Sequence, residues 1–122
     1  MGNACAGEKV EARSGAAIIG SDFINALTAH KYEAAHALLI AAQQWALSVG
    51  AIRNFEEQVE KKYGKPPHRA AIDECAIDKN LKSARLLYDK TYQDNKDLFL
   101  VSLVCIDGKW QVAKHQYDYN PV

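Results

Sequence analysis

The chain has 122 residues, 48% of them apolar and 25% charged, which is the size and composition of one folded domain and excludes wholesale disorder. Fifteen basic side chains balance fifteen acidic ones, and no dense basic stripe interrupts that balance, so a phosphate-backbone partner is not expected and no nucleic acid is assigned. No run reaches the roughly 20 apolar residues that span a bilayer, since the longest weakly polar stretch, Ala34 to Leu47, contains His36, Gln43 and Gln44.

In chain order, residues 1–13 are small and charged without a period and read as a flexible leader, with 14–122 forming a single domain. The start has no charged segment followed by an apolar one, so no intact signal peptide is expected. Localisation is left between the cytoplasm and, if an upstream signal or anchor was removed, a bacterial envelope. Cys5 and the Met1-Gly2 start are weak lipidation signals, the second because Ala6 stands where a hydroxyl residue is wanted.

From Ser14, the residues Ala17, Ile18, Phe23, Ile24 and Leu27 predict a first helix, with Gly20 and Ser21 interrupting its stripe and an end near His30 and Lys31. A second helix opens at Tyr32 and Glu33 with the stripe Ala35, Leu38, Leu39, Ala42 and Trp45, antiparallel to the first. Ser48 is an N-cap candidate for a third helix. Ile52, Phe55, Val59 and Tyr63 form its apolar face, opposite a solvated face of Arg53, Glu56, Glu57, Glu60, Lys61 and Lys62. Gly64 and Lys65-Pro66-Pro67 stop it.

Beyond the prolines the period changes to two. Strands are predicted over Ala70–Asp78, Ala84–Gln93, Leu98–Ile106 and Lys109–Tyr119, separated by Lys79-Asn80, Asp94-Asn95-Lys96 and Asp107-Gly108. Asp107-Gly108 is a strong hairpin signal. Sequential strands with tight turns give an antiparallel meander covered on one face by the helices, an α+β fold.

Three helices, a proline break and hairpin-linked strands closing on Asp107-Gly108-Lys109-Trp110-Gln111-Val112 resemble the cystatin-like superfamily, which includes nuclear transport factor two, the ketosteroid isomerases, scytalone dehydratase and small bacterial proteins of unassigned role. Asp22-Phe23-Ile24-Asn25-Ala26-Leu27 followed by Lys31-Tyr32-Glu33-Ala34-Ala35 is similar to that superfamily's opening elbow. The resemblance implies a curved, cone-shaped sheet of about four strands around three N-terminal helices. It implies no particular activity, because one fold hosts many sites.

Asp73, Tyr88 and Asp89 are residue types that a ketosteroid isomerase uses, but no role carries over to these positions. His115 on the last strand and Asp73 on the first could converge as a dehydratase pair would, although outward positions for both are the favoured reading. His30, His36, His68 and His115 lack metal-ligand spacing, so no metal and no cofactor are assigned. No GxSxG elbow supports acyl transfer.

Strict alternation puts Trp110, Val112, Lys114 and Gln116 on one face that runs from the core to a cavity mouth, with Trp110 a core residue. Trp45, Tyr88, Lys114 and Gln116 are the candidate ligand-binding residues. Cys75 and Cys105 fall in strands and read as buried thiols in preference to a bridge. Leu98 to Ile106 is apolar on both faces, which predicts a homodimer through the outer sheet face, by Phe99, Val101 and Leu103 or by the opposite face of the same strand.

These features favour a non-catalytic domain that binds a small apolar ligand or a protein. The alternatives are a cofactor-independent isomerase or dehydratase, which needs a desolvated His or carboxylate beside a second polar group, and a structural subunit of an envelope or secretion assembly, which needs a filled cavity.

Overall fold

The computed structural model describes the backbone of residues 6–63, 72–77, 82–89 and 98–119, and side chains over 14–61, 82–86 and 100–116. Helices come first and an antiparallel sheet follows, as expected: α1 (Ala6–Thr28), α2 (Tyr32–Ala37), α3 (Ala41–Ala46) and α4 (Val49–Tyr63), then β1 (Ile72–Ile77), β2 (Ser83–Asp89), β3 (Leu98–Ile106) and β4 (Lys109–Tyr119). The strands are hydrogen-bonded in sequence order, β1-β2-β3-β4, so β1 and β4 are the edges. The stop at Gly64 to Pro67 and the turns at Lys79-Asn80 and Asp94-Asn95-Lys96 lie outside the described residues.

The helix α1 begins at Ala6, inside the stretch read as a leader, where Glu8, Lys9, Glu11, Ala12 and Arg13 are good helix formers. Its buried stripe is Ala16, Gly20, Phe23, Ile24 and Leu27, spaced by three and four. Gly20 therefore belongs to the stripe and does not interrupt it, and Ile18, expected inside, is 60% exposed. The helix ends in a Schellman arrangement: His30 takes a φ of 60°, its N–H donates to Leu27, and the Lys31 N–H donates to Ala26. α1 then lies across all four strands.

Glycine at position 15 is required by packing. A Cβ built there would stand 2.9 Å from Trp110 Cδ1 and 3.0 Å from Nε1, and that indole is buried in the core. Gly to Ala inside a helix ordinarily stabilises by up to about 1 kcal/mol. Gly15→Ala should instead destabilise, by about 1–3 kcal/mol, because the clash forces a packed ring to move. Denaturant unfolding checks this, and a stabilised variant would contradict the placement of Trp110.

The expected second helix is broken into α2 and α3. The cause is the edge of β4: the Ile40 N–H donates to the Val112 carbonyl at 2.9 Å, and the Val112 N–H donates to the Leu38 carbonyl at 2.8 Å. Leu39 thus forms a parallel bridge to Val112. Its carbonyl is satisfied by Gln44 Nε2 at 2.9 Å and Gln111 Nε2 at 3.4 Å, so the break leaves this acceptor paired. Past the break the stripe no longer faces the core. Ala42 is exposed, and Trp45 is 92% exposed.

Ser48 caps α4, with its Oγ accepting the Ala51 N–H at 3.0 Å. Ile52 and Val59 are buried as expected. Glu56, read as part of the solvated face, is instead buried at 3% exposure, and Phe55 is 47% exposed. The reason is geometric: Ile52, Glu56 and Val59 follow steps of four and three, so the carboxylate lies on the same line as the two aliphatic anchors.

The β3–β4 hairpin turns at Asp107 and Gly108, both with positive φ (52° and 76°), which is the type I′ geometry that Asp-Gly favours. The face of the sheet toward the helices carries Ala84, Leu86, Val101, Leu103, Trp110 and Val112, packed with Phe23, Ile24 and Leu27. Val101 and Leu103 are therefore buried within the chain and are not available to a dimer contact. The side chain of Phe99 lies outside the described residues. Cys105 is a free thiol, and its strand is separated from that of Cys75 by β2.

Candidate functional site

β4 breaks the alternation that the sequence suggests. Ser102 pairs with Lys114, whereas the next residue, Leu103, pairs with Val112. Ala113 is thus an extra residue, a β-bulge, and the side chains from Lys114 to Gln116 change face. Trp110 and Val112 point into the core as expected, but Lys114 and Gln116 do not continue that face and are exposed. His115, expected outside, turns inward.

The inward histidine meets α4 and α1. Its Nε2 lies 3.4 Å from Glu56 Oε2, and both side chains are largely removed from water, at 12% and 3% exposure. The Phe23 ring stands edge-on to the imidazole with centroids 5.1 Å apart, and the Phe55 ring does the same at 5.9 Å. Three side chains on two helices therefore surround one imidazole.

His115 also lines a hollow of about 290 Å³ between β4 and the α3–α4 segment, walled by Leu39, Leu47, Ala51, Ile52 and Phe55, with Gln43 and Lys114 at its polar margin. Of the expected binding residues, Lys114 is brought to this hollow. Trp45 points to solvent and Gln116 lies outside the lining. Tyr88 is in β2, with its side chain outside the described residues. The Asp73–His115 convergence is not seen. Asp73 is in β1 and His115 in β4, the two edge strands, three spacings or roughly 14 Å apart along the sheet. Glu56 takes the place expected of Asp73.

A second, wider hollow of about 360 Å³ is lined by His30, Lys31, Tyr32, Glu33, Ala34, Val49 and Arg53. It is a charged surface dip. His30 at its edge already contacts Glu60 at 2.6 Å, an exposed pair worth about 0–1 kcal/mol. Burial, helped by the Glu60, Glu56 and Glu57 carboxylates, pushes the Tyr32 phenol above the ordinary value of 10.0, so it stays protonated and neutral.

Fold and site together define an α+β chain, helices first, with an apolar pocket built on a buried histidine–glutamate pair. Comparison with protein-family models, curated proteins and solved structures gave no match to this chain.

Proposed function

We propose that this chain is a binding domain for a small, mainly apolar molecule, held in the hollow between α3, α4 and β4. The observation behind this reading is an aliphatic and aromatic wall, Leu39, Leu47, Ile52 and Phe55, converging on one largely buried polar ring, His115, with Glu56 3.4 Å from its Nε2 outside the lining. Apolar walls supply most of the binding free energy, and a few polar groups fix orientation. The volume is at the small end for ligand sites, and at about 30 Å³ for each water-sized group it suits about ten non-hydrogen atoms.

The test fills the hollow. Ala51 is an exposed lining residue, so Ala51→Trp should leave the fold intact and close the space. 1-Aminonaphthalene, small enough for the hollow, should show saturable enhancement of its blue-shifted fluorescence with the natural chain and lose it with A51W. Undiminished enhancement in A51W would sink the proposal.

A second reading, a cofactor-independent isomerase, is favoured by the placement of His115 on the hollow with the Glu56 carboxylate 3.4 Å from its Nε2, a candidate base beside a candidate orienting partner. In that reading His115 takes a proton from carbon next to a carbonyl and returns it elsewhere. Conversion of 3-cyclohexenone to its conjugated isomer, followed by ultraviolet absorbance, should exceed the buffer rate and vanish in His115→Gln. A rate equal to buffer would count against catalysis.

We also infer a curved sheet of the cystatin-like kind. In its support, bulges at Asp73 in β1 and Ala113 in β4 bend and twist the edge strands, as closing a sheet around helices requires. The homodimer reading passes to the other face of β3, where Val104 is half-buried and Ile106 is 47% exposed. Sedimentation giving a monomer at micromolar concentration would remove it.

A further inference from the structure

We propose that the preferred ligand of the pocket is an amphipathic carboxylate with a tail of about eight carbons. This inference rests on the binding reading above and narrows it to a chemical class.

The pocket is asymmetric in charge. Leu39, Leu47, Ile52 and Phe55 can receive a tail but no charged group. At the β4 margin stand the Lys114 ammonium and the His115 imidazole, adjacent in sequence and both lining the hollow. They come from consecutive positions past the bulge, so the same extra residue that turns His115 inward leaves Lys114 at the rim. Lys114 is the one formal cation among the described lining residues, and it makes no ion pair with a described residue.

Its surroundings reinforce the sign. Across the sheet the row through Lys114 is Ser102, Arg85 and Ala76, so a second exposed cation is two strands away and no carboxylate stands in that row. Glu56 is the buried acid of the site and faces His115 Nε2. An arriving carboxylate meets the Lys114 ammonium with opposite charge at the rim, beside the His115 ring. An arriving ammonium would meet Lys114 with like charge and gains nothing from an imidazole already facing Glu56.

The head is a single carboxylate in preference to a phosphate monoester. A dianion wants several converging donors or a guanidinium fork, and among the described lining residues there is one ammonium, one imidazole and one amide, on Gln43. The size follows from the volume: octanoate has ten non-hydrogen atoms, which matches the capacity of the hollow.

The experiment compares octanoate, 1-octanol and octylamine by isothermal titration against the natural chain, Lys114→Met and Lys114→Arg. Octanoate should bind about tenfold more tightly than 1-octanol, a margin of about 1.4 kcal/mol, with octylamine weakest. K114M should erase the margin and K114R should keep it. Equal affinity for octanoate and 1-octanol, or a margin that survives in K114M, would overturn this inference while leaving the binding reading in place. Absence of binding by all three would overturn both.

Discussion

His115→Leu is expected to destabilise the fold by about 3–5 kcal/mol, because it replaces the imidazole beside the buried Glu56 carboxylate with an apolar side chain. The 3.4 Å separation is longer than a tight charge-assisted hydrogen bond, so the attraction between the pair is the smaller part of that figure. The larger part is the unfavourable burial of an acid that has 3% exposure. The double variant Glu56→Leu/His115→Leu should therefore recover most of the loss, since an apolar pair of similar volume has nothing to desolvate. Urea unfolding of the two single variants and the double one gives the cycle. Losses that simply add would contradict a coupled buried pair.

Phe23→Ala should cost a comparable amount, about 3–5 kcal/mol, by opening a cavity where α1 crosses the sheet. Phe23 has no exposed surface and is among the largest fully buried side chains, packed with Ile24, Leu27, Leu86 and Val101. Its ring also forms one wall of the histidine's enclosure at 5.1 Å. Two consequences can be measured separately. Thermal or urea unfolding reports the lost packing, and the imidazole proton signals of His115 should broaden or shift as the ring loses its edge-on neighbour. Phe23→Leu keeps most of the volume and should cost less than about 1.5 kcal/mol. A loss below about 1 kcal/mol for F23A would mean that α1 does not seal this part of the core, given the usual cost of Phe truncation.

Much of the scaffold could be read from residue order, and the site could be read only in part. Leu98–Ile106 and Lys109–Tyr119 begin and end where alternation and the Asp107-Gly108 turn place them, because hydrophobic period and turn chemistry are local properties. The break at Leu38–Ile40 was not legible. Its cause is a pair of backbone hydrogen bonds to Val112, more than seventy positions along the chain, and no helix-stopping residue marks it. Trp45 followed from the continuous helix that this break removes, so its expected packing was lost with it.

The bulge at Ala113 had the same effect on the site. Counting by two places Lys114 and Gln116 inside and His115 outside, and one extra residue reverses all three. Nothing in Val112-Ala113-Lys114 distinguishes a bulged strand from a regular one. Glu56 is different, because its signal was present. It lies four after Ile52 and three before Val59, and a charged residue in register with an apolar stripe is the pattern of a buried functional group. Its chemical type suggested the solvated face, and its position was the better guide.

Methyl-resolved NMR with 1-octanol reports directly on whether the hollow beside His115 takes an apolar molecule, since the probe is neutral and the result does not depend on the charge of the head group. Saturable shifts are expected at Leu39, Leu47, Ala51 and Ile52, accompanied by a change in the His115 ring signals, while Ile18 and Ile106 on the exposed surface stay in place. Shifts that never saturate, or that appear at Ile18 and Ile106 and not around His115, would contradict it.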